Sequence, residues 1–283
     1  AARTLEVIVV PYEVERDDTG MARAPEELLT RGLLAEIEDA RTVLRTDIRL
    51  SEGERNRTKT EVVAELGRET ARAVATARGR GRFPLLLTGG CISAVGMAAG
   101  LQRMGRDLGV VWLDAHGDFN TPESSPSGYW DGMALAAVCG RSLPEVFNPV
   151  GLRPVHYRNV VHLGGRAFDP PEIDDIRRLQ LAVVASAEVG SEATRTLVAQ
   201  VSGGTQGGRD LYLHVDFDGL DPREAPAVNR PVPNGTSVDD LFSALGEHSP
   251  AAMTFAGMDF DRVDESRASK MLETCRRLLR SLA

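Results

Sequence analysis

Short, continuous apolar runs punctuate this 283-residue chain, and several of them end in acidic residues. Leu5–Val10, Pro84–Thr88, Val110–Leu113, Val160–Leu163, Leu181–Ala185, Leu211–Val215 and Met253–Met258 have strand length and lack the polar alternation of a half-exposed sheet. Strands apolar on both sides must be covered on both faces, which calls for a parallel sheet between helical layers. Longer amphipathic stretches supply that cover. Glu26–Asp39 places Leu28, Leu29, Leu33 and Ile37 on one face, and Thr60–Arg78 and Ser266–Leu282 also read as helices. Gly, Pro, Ser and Asn mark Thr121–Tyr129, Ser202–Gly208 and Asp221–Thr236 as loops. The expected fold is α/β, a three-layer αβα arrangement with a mainly parallel central sheet. No linker divides the chain, so residues 1–283 read as one domain.

In such sheets the ligand site lies outside the carboxyl ends of the strands. Four strand ends carry chemistry here: Gly89-Gly90-Cys91, Asp114-Ala115-His116-Gly117-Asp118, Gly164–Asp169, and Asp216-Phe217-Asp218 with the nearby Asp221. Alternate residues of an extended segment share a face, so Asp114, His116 and Asp118 would point together, as would Asp216 and Asp218. Carboxylates converging at one sheet edge repel by kilocalories unless a cation sits among them. Oxygen-rich sites with one imidazole suit Mn²⁺ or Mg²⁺, with Zn²⁺ an alternative.

Composition excludes several function classes. A formal net charge of −8 argues against nucleic acid or an anionic membrane as the main partner. No apolar stretch approaches the roughly 20 residues of a membrane span. Cys91, Cys139 and Cys275 are unpaired by any CxxC spacing, which fits a reducing, cytoplasmic setting.

The glycine pair, DAHGD and DFDGLDP occur in an order and at spacings that resemble the ureohydrolase family of arginases, agmatinases and related amidinohydrolases. The resemblance runs from about Pro84 to Val263. It implies an arginase-like fold, a homo-oligomer (trimer or hexamer), and one or two Mn²⁺ ions generating a hydroxide that attacks a guanidinium carbon. It further implies that Asp114 and Asp216 bridge, Asp118 completes one metal, and His116 with Asp218 complete the other. The implied reaction hydrolyses a non-peptide C–N bond in a small arginine- or agmatine-like compound.

The chain departs from the family pattern in several places. After Gly90 the family's Asp-His-Ser is replaced by Cys91-Ile92-Ser93. Counting back from Gly96 puts Cys91 on the first metal's ligand position, and counting forward puts Ile92 there. A thiolate would draw that position toward Zn²⁺ or Fe²⁺. Asp131 stands where the family's proton-shuttling His precedes a Gly, so it is either a proton relay or a helix cap. Arg262 aligns with the glutamate that meets the substrate guanidinium. Either a bulge presents Asp261 instead, or Arg262 and Arg230 face a substrate that is not a guanidinium cation. Asp169 and Glu172 match the strip that receives an α-amino group, and could equally be acids at a helix N-terminus. Ser127 matches a position contacting the carboxylate side, with Tyr129 replacing an Asn. Trp130 and Tyr129 are candidates for lining the cleft, and His162 and His214 for the core. These departures leave open a metal-binding homologue that forms no urea, in a regulatory or structural role, or one acting on a non-guanidino amide.

Overall fold

The computed structural model describes residues 3–14, 20–38, 40–50, 57–203 and 208–283. Its strands are β1 (Leu5–Val10), β2 (Val43–Asp47), β3 (Phe83–Thr88), β4 (Asp107–Leu113), β5 (Val160–Leu163), β6 (Ala182–Val184), β7 (Arg209–Asp216) and β8 (Ala252–Ala256). The helices are α1 (Gly20–Thr30), α2 (Ala35–Glu38), α3 (Lys59–Gly79), α4 (Ala94–Gln102), α5 (Ala134–Val138), α6 (Pro144–Val150), α7 (Pro170–Leu179), α8 (Glu192–Val201), α9 (Val238–Leu245) and α10 (Glu265–Leu282). The strands form one sheet in the order β2-β1-β3-β8-β7-β4-β5-β6, with every pairing parallel.

Period-two alternation separates two cores. Val7, Val9, Leu85, Leu87, Val111, Leu113, Leu213, Val215 and Phe255 pack under α1, α8, α9 and α10. Ile8, Val10, Leu86, Val110, Trp112 and Tyr212 pack under α3 through α6. The long helices are started by local chemistry. Thr58 and Glu61 form a reciprocal capping box at the start of α3, and Asp264 caps α10 by accepting from the Arg267 N–H at 2.9 Å.

Two elements differ from the sequence reading. β2 is a half-exposed edge strand with Arg45 and Asp47 on it, so no apolar run marks it. The stretch expected as the single helix Glu26–Asp39 begins earlier, at Gly20, turns at residues 31–34, and resumes as α2. Gly32, at φ 85°, makes that break. Asp39 lies outside the described residues, as do residues 204–207 of the loop expected at Ser202–Gly208.

The topology positions the site. β3 and β4 follow one another in the chain but are separated in the sheet by β8 and β7, which arrive last. Segments leaving the carboxyl ends of β3, β4, β5, β7 and β8 therefore converge on one crevice, of the kind found where strand order reverses. Just below those ends runs a polar row across the sheet. Thr254, His214, Trp112 and His162 are consecutive register partners on β8, β7, β4 and β5.

Close backbone approach gives the fold one testable weak point. A Cβ on Gly109 in β4 would lie 2.0 Å from the carbonyl oxygen of Val201 at the end of α8, whereas a Cβ on Gly79 would meet nothing within 4 Å. Gly109→Ala is expected to lower unfolding free energy by about 2–3 kcal/mol in a urea titration. Gly79→Ala should leave it unchanged or raise it by about 0.5 kcal/mol.

Candidate metal centre

At the end of β4, Asp114 is almost wholly buried, and its Oδ1 accepts the His116 N–H at 2.7 Å. The chain then leaves the strand. Asp118 adopts a left-handed backbone (φ 51°), so a turn, rather than strand alternation, sets its direction. Asp216 ends β7 and accepts the Asp218 N–H at 2.9 Å, which folds residues 217–219 into a single 3₁₀ turn. Asp218 reaches across to β4, accepting the Ala115 N–H at 3.0 Å and standing 3.1 Å from His116 Nδ1. Gly257, after β8, has φ 76°, and a Cβ there would sit 2.1 Å from Asp216 Oδ1. Only glycine accommodates both constraints.

Cys91 completes the group. Its Sγ lies 3.1 Å from Asp216 Oδ2, while Ile92 is buried in the core beneath α3 and α4. Two sets of donors result, Cys91/Asp114/Asp216 and Asp114/His116/Asp218, and within each the ligand atoms all lie within 4.8 Å of one another. Of the two aspartates expected to bridge, Asp114 belongs to both sets and Asp216 to the first alone. Asp118 Oδ2 is buried beside them with no hydrogen-bond partner. A buried carboxylate oxygen without a donor is costly. Together with the O, N and S donors around it, this fits a site for divalent cations.

Electrostatics says the same. Burial, reinforced by neighbouring carboxylates, raises the Asp114 and Asp118 carboxyls and lifts Asp216 to about 7 and Asp218 to about 6. Burial also pushes the Cys91 thiol well up. Burial alone would lower His116, but its contacts with Asp114 and Asp218 outweigh this and raise it to about 11. The protein by itself therefore manages the cluster by holding protons, a task a cation would take over.

The cleft above these ligands has a volume of about 350 Å³. Asp131 lines it but caps no helix. Its Oδ1 accepts the Ile92 N–H at 2.9 Å, and its Oδ2 is buried without a partner. Burial raises its carboxyl to about 6. Asp169 and Glu172 line the cleft from the start of α7. Glu172 accepts the Phe119 N–H at 2.7 Å and the Asp169 N–H at 3.2 Å, while Asp169 accepts from Asn120 Nδ2 at 2.9 Å. Ser127, Tyr129 and Arg230 line the mouth.

Other sequence candidates sit elsewhere. Arg262 points away: its Nε donates to Asp259 Oδ2 at 2.8 Å, and its side chain is 61% exposed. Asp261 pairs with Arg23 on the surface, so no bulge brings it inward. The backbone turns straight after β8, and Asp259, with both oxygens engaged, holds that turn. Asp221 pairs with Arg223 at 2.8 Å instead of joining the metal cluster. Trp130 lies under the Lys59 ammonium, 4.5 Å from its ring centroid, and only Tyr129 of the aromatic pair lines the cleft.

Sequence reasoning missed Asn120, Asn229 and Met21 on the cleft wall, and Glu13 behind Tyr129. Asn120 lies two residues beyond the DAHGD motif, the one signal available. The others come from loops without a motif. The floor was also partly legible. His214 stacks on Trp112 (centroids 3.7 Å apart, planes 9° apart), and burial holds it neutral with a pKa of about 3. His162 Nε2 lies 2.6 Å from the His116 carbonyl, and burial holds it at about 4. Trp112 Nε1 points at Asp114 Oδ2 from 3.4 Å.

These shifts fix a sign. His116, raised in the fold, contributes stability that is present below an unfolded pKa near 6.5 and is lost toward 11. The raised carboxyls contribute stability that is lost as pH rises from about 4 through 7. His162 and His214, lowered in the fold, act oppositely, but only below 6.5. Metal-free protein should therefore lose about 1–2 kcal/mol between pH 6.5 and 8 in denaturant titrations. Saturating Mn²⁺ should flatten that slope, and a slope that metal leaves unaltered would contradict the cluster's role.

Comparison with known proteins places this geometry. The arginase-family model matches residues 3–272. An arginase of Brevibacillus brevis is 34% identical over 248 residues, covering 83% of this chain and 82% of that protein. The Bacillus cereus arginase structure superposes with a TM-score of 0.82 at 31% identity, covering 97% of both chains. An agmatine ureohydrolase of Thermoplasma volcanium, at 21% identity and a TM-score of 0.70, shares the fold over 99% of this chain and 88% of its own. In fold and in sequence, this chain belongs to the arginase family.

Proposed function

We propose that this chain is a metal-dependent hydrolase of a non-peptide C–N bond in a small guanidino or amidino compound. The observation that carries the reading is the pair of donor triads sharing Asp114 at the strand ends of a family member's cleft. Asp114 would lie between two ions, with His116 and Asp218 holding one, and Cys91 and Asp216 the other. Asp118, through its unpartnered Oδ2, would complete the centre. Mn²⁺ suits the His116 side, and the Cys91 thiolate favours Zn²⁺ or Fe²⁺ on the other. When bound, the cations supply Lewis acidity that brings a coordinated water to reactive form near neutral pH.

The protein's own groups account for the rest. Asp131, raised to about 6 and with Oδ2 unpartnered, can give or take a proton at that oxygen near neutral pH. The Ile92 N–H fixes its orientation. Asp169 presents negative charge to an amine on the substrate, with Glu172, whose carboxyl burial raises to about 7, behind it, and Ser127, Tyr129 and Arg230 meet its other end. With Arg262 turned outward, the cleft wall keeps no cation from that segment to repel a guanidinium.

The test is metal stoichiometry beside urea release over a panel of guanidino compounds. The reading predicts roughly two equivalents of divalent metal and urea from at least one compound. Asp114→Asn, which removes the shared charge, should lose most bound metal and lower turnover by at least about 100-fold. Full metal content in that variant would remove Asp114 from the shared position, and silence across the panel with metal bound would remove the reaction.

A further inference from the structure

Arg166 follows β5 and lines no part of the cleft, yet it is bonded to both segments that supply donors on the His116 side. Its backbone N–H donates to the Ala115 carbonyl at 2.9 Å. Its guanidinium then spends all five N–H groups on main-chain carbonyls. Nε donates to Pro233 at 2.9 Å, Nη1 to Gly164 at 2.9 Å and Gly219 at 3.2 Å, and Nη2 to Asp218 at 2.7 Å and Val232 at 2.8 Å. No other side chain offers five donors in one rigid plane. One group thus joins the end of β4, the end of β5, the turn at 217–219 and the loop at 231–233. Pro231 and Pro233 restrict that loop's backbone, so its carbonyls are held in place for the fork.

Charge alone gives no reason for a guanidinium here. Burial lowers it, and Asp218, Asp114 and Asp221 offset this only in part, acting through space. Among the described residues Arg166 hydrogen-bonds no carboxylate. A fixed positive charge in the field of Asp218 and Asp114 opposes any divalent cation those residues hold. The two properties of Arg166 therefore act on metal binding with opposite signs. Its charge weakens binding, and its fork, by fixing the turn that carries Asp218, strengthens it. The other donor set is held differently. Cys91 comes from the turn after β3 and meets Asp216 Oδ2 at 3.1 Å, with no bond to Arg166.

We propose that Arg166 is a positioning residue for one half of the centre: its carbonyl clamp aims Asp218 at His116, and this outweighs the repulsion of its charge, while the Cys91 half is set independently. This rests on the metal-dependent reading above and deepens it.

Cobalt(II), titrated into the metal-free full chain by calorimetry and absorption, is the probe. Thiolate ligation gives a charge-transfer band, so the binding event with that band reports the Cys91 half and the event without it reports the Asp218 half. Arg166→Gln removes the charge and keeps two donors; Arg166→Lys keeps the charge and offers at most three donors from a single point. Both should weaken the event without the band by about 10- to 100-fold, Lys at least as much as Gln, and shift the other event by less than about threefold. Titration in trimethylamine N-oxide keeps a weakened variant folded. A Gln variant that binds as tightly as the unaltered chain, or a Lys variant within about threefold of it, would make charge the operative property and overturn the proposal. Equal weakening of both events, or a variant unfolded even in osmolyte, would reduce Arg166 to general support of the fold and overturn it too. Urea release judges the reaction separately. The expected order of affinities without urea from any guanidino compound would sink the hydrolase reading and leave Arg166's role standing, and urea release with the order reversed would do the opposite. An unaltered chain that takes up no cobalt would overturn both.

Discussion

Mutual repulsion among buried carboxylates is the constraint around which this molecule is arranged. Asp114, Asp118, Asp216 and Asp218 are all buried at one edge of the sheet. At an effective dielectric of 20, two such charges 4 Å apart repel by about 4 kcal/mol. A fold tolerates that only if protons or cations offset it. Protons do so in part, as the raised carboxyls and the strongly basic His116 indicate. Divalent cations would do so more fully, and the arrangement of backbone donors around the cluster prepares for them. N–H groups of His116, Ala115 and Asp218 each fix one carboxylate oxygen and leave other edges to the interior.

The scaffold explains why the candidate ligands arrive from so far apart in the chain. The sheet order β3-β8-β7-β4 places the DAHGD and DFD segments at adjacent strand ends, with the glycine-pair turn of β3 one strand away across β8. Below them, Thr254, His214, Trp112 and His162 form a neutral polar layer that separates the charged edge from the hydrocarbon core. His162 touches the His116 backbone and Trp112 approaches Asp114, so the layer also contacts two of the candidate ligand residues. The two histidines are poor candidates for ligands themselves because burial keeps them beneath the sheet's end.

Strand cores and the acid motifs could be read from the chain because both depend on local pattern: continuous apolar residues and fixed spacing. Leu5–Val10 and Val160–Leu163 match their strands residue for residue. The edge strand β2 could not be read this way, since half its side chains face water. Side-chain direction beyond a strand end was the main blind spot. Asp118 turns on a left-handed residue, Asp131 swings back onto the Cys91 turn, and Asp221 and Arg262 find nearer partners of opposite charge. Each outcome is decided by a tertiary contact that no spacing encodes. The same holds for Glu13, a lone acid after β1 that acquires meaning only through Tyr129.

In the proposed centre the Cys91 thiol beside Asp216 would make the two halves chemically unequal, and a diffraction experiment can read that inequality directly. Crystals grown with both manganese and zinc, with anomalous data collected at each absorption edge, locate and identify the ions together. The account predicts peaks on both sides of Asp114, with zinc enriched beside the sulfur of Cys91. Flat anomalous density among those aspartates, in crystals saturated with both metals, would contradict it.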